Sequence, residues 1–154
     1  MIKQIASLAV ISMMVLACNN AQDNAAERKD GYSTAPKTET DSLYHQVMDG
    51  HDVGMAKMGA LKKYNGVAQS KIDSIQKLPA AKQDKAYLQE VMTLQQQLIN
   101  AEKGMNEWME GFNLDSASGP TASISYLKSE LQKVVVVRDQ ILGSLSKADS
   151  LLKK

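Results

Sequence analysis

Two breaks, Leu78-Pro79 and Gly119-Pro120, cut an otherwise helix-periodic chain into three runs of similar length. Proline has no N–H and pushes the residue before it out of the α region, so a regular helix ends at Leu78. At Gly119-Pro120 the same residue type suits the first turn of a new helix. Ahead of the first break, core-type residues recur at gaps of three and four: Tyr44, Met48, His51, Met55, Met58, Leu61, Tyr64, Ala68, Ile72 and Ile75. The second run carries Leu88, Val91, Leu94, Leu98, Ala101, Met105, Trp108, Met109 and Phe112. The third carries Ile124, Leu127, Leu131, Val134, Ile141, Leu145, Ala148 and Leu152. Arg138 falls in the register of that last seam, where it is expected to snorkel outward while Val135 or Val137 covers the gap.

These runs predict helices over about 41–78, 80–112 and 120–153, each about 45–57 Å long at 1.5 Å per residue. Tight connections force neighbouring helices to run antiparallel, which gives an all-α, up-down-up three-helix bundle. A single long coiled coil is the rival, and the matched spacing of the breaks argues against it. Thr38, Thr40, Asp41 and Ser42 supply capping side chains for the first helix. Gly50, Gly54, Gly59 and Gly66 each cost that helix about 1 kcal/mol relative to Ala, so packing has to hold it. Asn65-Gly66 is also a turn signal inside it. Of 154 residues one is Trp, one Phe and five Tyr, so aliphatic residues and Met must fill the core.

The N-terminal stretch has a different character. Lys3 precedes an apolar segment from Ile5 to Leu16, which is too short for the ~20 residues that span a bilayer and suits a signal sequence. Val15-Leu16-Ala17-Cys18 resembles a bacterial lipobox, although Leu usually stands where Val15 is and a small residue where Leu16 is. An ordinary signal peptide cut nearby is the alternative. On the lipoprotein reading, residues 1–17 are removed and Cys18 takes the lipid. Residues 18–37 form a flexible polar tether, and 38–154 the bundle. By resemblance to bacterial lipoproteins, Asn19 after the cysteine lacks the aspartate linked to inner-membrane retention, which favours the outer membrane.

Cys18 is the one cysteine, so no disulfide or thiolate metal site is available to the body. Lys3 is the one charge ahead of Cys18; removing it from 18 basic residues leaves 17 against 17 acidic, a neutral balance that offers no field to gather nucleic acid.

His51 and Trp108 lie at nearly equal distances either side of Pro79, as do Met55 and Met105. Folding at Pro79 therefore brings Met48, His51, Met55 and Met58 against Met105, Trp108, Met109 and Phe112, at the end of the bundle where the third helix begins, opposite Ile124 and Leu127. Thioethers and an imidazole beside an indole suit Cu(I) or Ag(I) and not Mg or Ca. The candidate ligating set is His51, Met55, Met58, Met105 and Met109, with Trp108 alongside. The same residues also stand where a bundle poor in aromatics needs bulk, and methionine fills such gaps well. Asp52 is either a carboxylate that orients His51 or a solvated surface acid. His45 and His51, six apart, do not share a helix edge. No Glu-x-x-His pair, phosphate-binding glycine loop or Gly-x-Ser-x-Gly occurs. Glu130 and Asp149 read as lone acids on polar faces, so no catalytic arrangement is expected.

The run His51-Asp52-Val53-Gly54-Met55-Ala56-Lys57-Met58, followed by Met105-Asn106-Glu107-Trp108-Met109-Glu110-Gly111-Phe112, resembles the small envelope lipoproteins of Bacteroidetes labelled viral A-type inclusion protein. The likeness spans about residues 41–152. Val53 stands where many of those proteins have an acidic residue, so a charge there is not essential. The label implies no activity, and the resemblance carries over no catalytic residue. The sequence thus predicts a helical protein held at the membrane by lipid on Cys18, with a structural or binding role, an envelope protein as its partner, no nucleic acid and no catalysis. A periplasmic Cu(I) or Ag(I) binding protein is the alternative.

Overall fold

The computed structural model describes residues 35–153, all helix, turn or irregular chain with no strand among them. The expected signal peptide, Cys18 and all but the last residues of the tether lie outside the described residues. Four α-helices follow: α1 Glu39–Met55, α2 Met58–Gln76, α3 Lys85–Gly111 and α4 Pro120–Leu152. Single 3-10 turns at Ala80–Lys82 and Leu114–Ser116 occupy the two connections.

The ends obey local chemistry. Thr38 caps α1, its hydroxyl oxygen accepting from the Asp41 N–H at 3.0 Å. α3 starts five residues later than the proline alone suggests. Asp84 is its cap, accepting from the Tyr87 N–H at 3.0 Å, and a short polar side chain three residues before a free N–H is a stronger start signal than proline two turns upstream. Gly119 has φ +87°, a left-handed conformation that only glycine adopts cheaply, and Pro120 follows in the first turn of α4.

The expected first helix is two. Between Met55 and Met58 the Lys57 N–H donates to the Gly54 carbonyl at 2.9 Å, three residues back instead of four, and the α ladder is interrupted. Lys57 stays in solvent while Met58 packs against the core. Asn65-Gly66 makes no break: α2 runs through both. Across the joint the segment changes partner, α1 lying chiefly on α4 and α2 chiefly on α3. Side-chain pairs give the directions. Glu39 meets Lys128 at 2.9 Å and Tyr64 meets Asp149, so α1 and α2 run parallel to α4. Gln95 donates to Gln69 at 2.8 Å, and Tyr87 to the Leu151 carbonyl at 3.4 Å. α3 thus runs against the other three.

One core links all four helices. Leu61, Leu94, Leu98, Met105, Leu127 and Ile141 are fully buried, each worth about 1.5–3 kcal/mol in transfer from water. In α3 the buried positions Val91, Leu94, Leu98, Ala101, Met105 and Trp108 alternate gaps of three and four, as helices packed nearly parallel require. In α1 the seam is one residue from the expected one. Leu43, Tyr44, Val47, Gly50 and Gly54 are buried, whereas Met48 and His51 flank the seam and Met55 faces solvent. The reason is close approach. A Cβ added at Gly50 would sit 3.0 Å from Val134 Cγ1, and one at Gly54 would collide with the terminal methyl of Met105 and lie 3.3 Å from Ile141 Cδ1. The glycines let α1 settle closely onto α4: a side chain at Gly50 would press on the branched Val134, and one at Gly54 would require the end of Met105 to move. On α4, Arg138 is half-buried with Nη2 2.8 Å from Asp139, and Val137 packs on the core beside it.

Candidate functional site

The settling of α1 onto α4 decides what its flank meets. His51 sits next to Gly50, just off the buried seam, and faces the C-terminal turns of α3. Its Nδ1 lies 2.9 Å from Asp52 Oδ1 and its Nε2 3.3 Å from the Met109 sulfur. A carboxylate can only accept, so Nδ1 carries a proton and donates it to Asp52. In the neutral imidazole Nε2 then presents its lone pair to the thioether. Asp52 thus takes the orienting role, while remaining largely exposed itself.

Trp108 lies beside this pair, its ring centroid 5.6 Å from that of His51 at 38°. Phe112 follows at 5.2 Å from Trp108, with Tyr126 and Tyr44 at 5.9 and 6.4 Å from Phe112. These are ordinary tilted aromatic contacts. The Tyr126 hydroxyl oxygen accepts from the Asn113 N–H at 2.6 Å, fixing the chain just past the end of α3. Most of the chain's few aromatic rings are therefore gathered at one end of the bundle, around the start of α1, the end of α3 and the first turns of α4.

Glu130 corrects the expectation that it is a lone acid on a polar face. It is 4% exposed, and its Oε2 accepts from the Trp108 indole N–H at 2.9 Å. Its Oε1 accepts from Lys133 Nζ at 2.7 Å. The ammonium of Lys133 is raised above its usual range, first by that hydrogen bond and then by the Glu130 charge. The sequence held one clue to this. A buried indole N–H needs an acceptor, and position 130 lies between Leu127 and Val134 in the α4 seam. Asp149 is no lone acid either: the Tyr64 hydroxyl donates to it, and Lys153 Nζ approaches to 2.7 Å.

The six metal candidates separate. His51, Met109 and Trp108 meet. Met105 is fully buried with its methyl at Gly54, and Met58 packs against the core in the first turn of α2. Met55, 37% exposed, points away. Its expected place rested on a seam that belongs to Gly54. Among the described residues no three His, Cys, Asp or Glu side chains cluster as a metal cage, so a site here would depend on thioether sulfur. An open groove of about 390 Å³ between α3 and α4 is lined by Gln97, Asn100, Gln140 and Lys147. Its amides and single ammonium offer no general base.

Compared with protein-family models, curated proteins and solved structures, the chain finds no match in any of the three.

Proposed function

We propose that this is a lipid-anchored helical-bundle protein of the cell envelope, held at the outer membrane through Cys18, whose role is structural or binding and not catalytic. The observation that carries the reading is the lone cysteine at the end of a short apolar segment, joined by a polar stretch to a helical body. Among the described residues no helix is long and apolar enough to cross a membrane. The non-catalytic reading is supported by the acids. Glu130 is engaged by Trp108 and Lys133, and Asp149 by Tyr64 and Lys153, contacts that a structural role accounts for. An envelope protein is the partner class such an anchored body would meet.

Intact-mass analysis of the membrane-extracted protein tests the anchor. The expected mature chain begins at Cys18 and carries lipid mass, and Cys18→Ala abolishes both. A mature protein that begins elsewhere without lipid defeats the proposal. A second reading, a periplasmic soft-metal binding protein, is favoured by one specific observation: the His51 Nε2 and Met109 sulfur face each other at 3.3 Å beside an indole.

A further inference from the structure

We infer that the chain carries a two-donor site for a soft monovalent cation, Cu(I) or Ag(I), made by His51 Nε2 and Met109 Sδ and covered by the face of Trp108. The inference rests on the soft-metal reading and narrows its six candidates to two ligands and one cover.

Three features converge on the same point. First, Asp52 fixes the imidazole so that Nε2 is the nitrogen turned toward Met109, the arrangement by which carboxylates hold metal-ligating histidines. Second, in the neutral ring the 3.3 Å contact sets two lone-pair donors against each other. That arrangement gains little without a cation or a proton between them, and an imidazole with a thioether selects a soft cation over a hard one. Even with bonds as short as those of zinc to nitrogen and sulfur, about 2.0 and 2.3 Å, a near-linear ion needs donors about 4.3 Å apart, so the pair must open by about 1 Å to seat one. The unbranched side chain of Met109, half-buried on the last turns of α3, has the freedom to do so. Third, the indole is held in place, because its N–H is bonded to a buried carboxylate. An indole fixed with its ring centre 5.6 Å from that of His51 is close enough for its face to add attraction of the cation–π kind to a bound ion. His51 is itself only about one-fifth exposed, so the site is reachable from solvent yet largely shielded. Met55 is excluded by its exposure, Met105 by its burial against Gly54, and Met58 by its packing against the core beyond the joint, at the start of α2.

The test uses the full chain with Cys18→Ala, since Cys18 is the one cysteine and, wherever it is not acylated, its thiol would itself capture the probe. Silver nitrate is titrated in chloride-free buffer while Trp108 emission and the melting temperature are followed. One equivalent should quench the single tryptophan and raise the melting temperature by mass action. His51→Gln and Met109→Leu should each weaken binding by about tenfold or more, and Met55→Leu should leave it unchanged. If neither signal moves in the otherwise unaltered chain, both the site and the soft-metal reading fall. If silver binds but the His51 and Met109 variants bind as well as their parent, the assignment is overturned while the reading stands. X-ray absorption of the Cu(I)-loaded Cys18→Ala chain decides independently of how those variants fold: a mixed nitrogen and sulfur shell is expected, and an all-sulfur shell overturns the site.

Discussion

α1 and α2 continue one another across two residues and have nearly equal lengths, 17 and 19 residues, yet they use their glycines in opposite ways. α2 buries Leu61, Ala68 and Ile72, and its exposed Gly59 and Gly66 meet nothing where a Cβ would stand. α1 buries Leu43, Tyr44 and Val47, and beyond them Gly50 and Gly54, which lie against Val134, Ile141 and Met105. The same residue type is therefore a propensity loss in one helix and the contact surface in the other. What distinguishes them is the partner's distance, which belongs to the tertiary structure and not to the glycine. α1 lies close enough on α4 to bring His51 to Met109 and Trp108. Beyond the joint at Lys57, α2 passes over to α3 and has no comparable cluster.

The strongest way to break this comparison is to put the same side chain at a glycine of each helix. Gly54→Val forces a branched group into the fully buried terminus of Met105 and should cost about 2–3 kcal/mol of overpacking. Gly66→Val sits in open space with a better helix former than glycine, so stability should stay within about 0.5 kcal/mol. Denaturant unfolding of the two variants measures both. Equal effects would mean that α1 does not rest on its glycines.

A somewhat smaller effect tests whether the α1 end is also fixed by polar chemistry. Glu130→Ala leaves the Trp108 indole N–H buried without an acceptor, which should cost about 1.5–3 kcal/mol. Glu130→Gln keeps an acceptor and should cost distinctly less. Unfolding followed by the single tryptophan reports on the affected side chain itself. An Ala variant as stable as the wild type would show that the indole bond contributes nothing to the fold.

The third expectation compares two methionines that periodicity alone would place in one cluster. Met105→Leu nearly conserves volume in a fully buried position and should cost less than about 1.5 kcal/mol. Met55→Leu, at an exposed position, should change stability by no more than about 0.5 kcal/mol. Thermal melts of the two in parallel place them. A large loss at Met55 would restore the seam expected from periodicity alone.

That expected seam shows where legibility in the sequence stops. The division at Pro79 and Gly119-Pro120 was readable because proline and glycine act on their own backbone. The meeting of His51 with Trp108 was readable because a hairpin pairs positions by distance from its turn. The seam of α3 was readable because it is made of large apolar residues at regular gaps. The phase of α1 was not, since counting apolar residues gives weight to Met48, His51 and Met55 and none to Gly50 and Gly54. The joint at Ala56-Lys57 carries neither proline nor a turn pair; its sole local hint is Gly54. Glu130 was misread for a related reason, as its burial is set by an indole 22 residues away in sequence.

The smallest effect concerns an exposed tie of α2 to α4, whereas α1 adds to its own exposed pair, Glu39 with Lys128, the close contact at its glycines. The tie is polar and exposed: the Tyr64 hydroxyl donates to Asp149, and Lys153 completes the group. The Asp149 carboxyl is held below its usual range, mainly by the hydrogen bond from Lys153 and next by that from Tyr64, and the Lys153 ammonium is raised by Asp149 first and Tyr64 second. A depressed carboxyl stabilises the folded state above its unfolded pKa of about 4, and the gain disappears as pH falls through the lower folded value. A raised ammonium stabilises below its unfolded pKa of about 10.4, and that gain is lost as pH rises through the higher folded value. The tie is therefore complete across the neutral range and fails first on the acid side. Asp149→Asn should be slightly less stable than wild type at pH 7, and the two melting temperatures should converge as pH drops below about 4. Salt should shrink the difference at pH 7, because exposed charges are screened. The Gly54→Val deficit is steric and should persist across the same pH series, so a deficit there that closes in acid along with that of Asp149→Asn would remove the contrast between a packed and a polar attachment to α4.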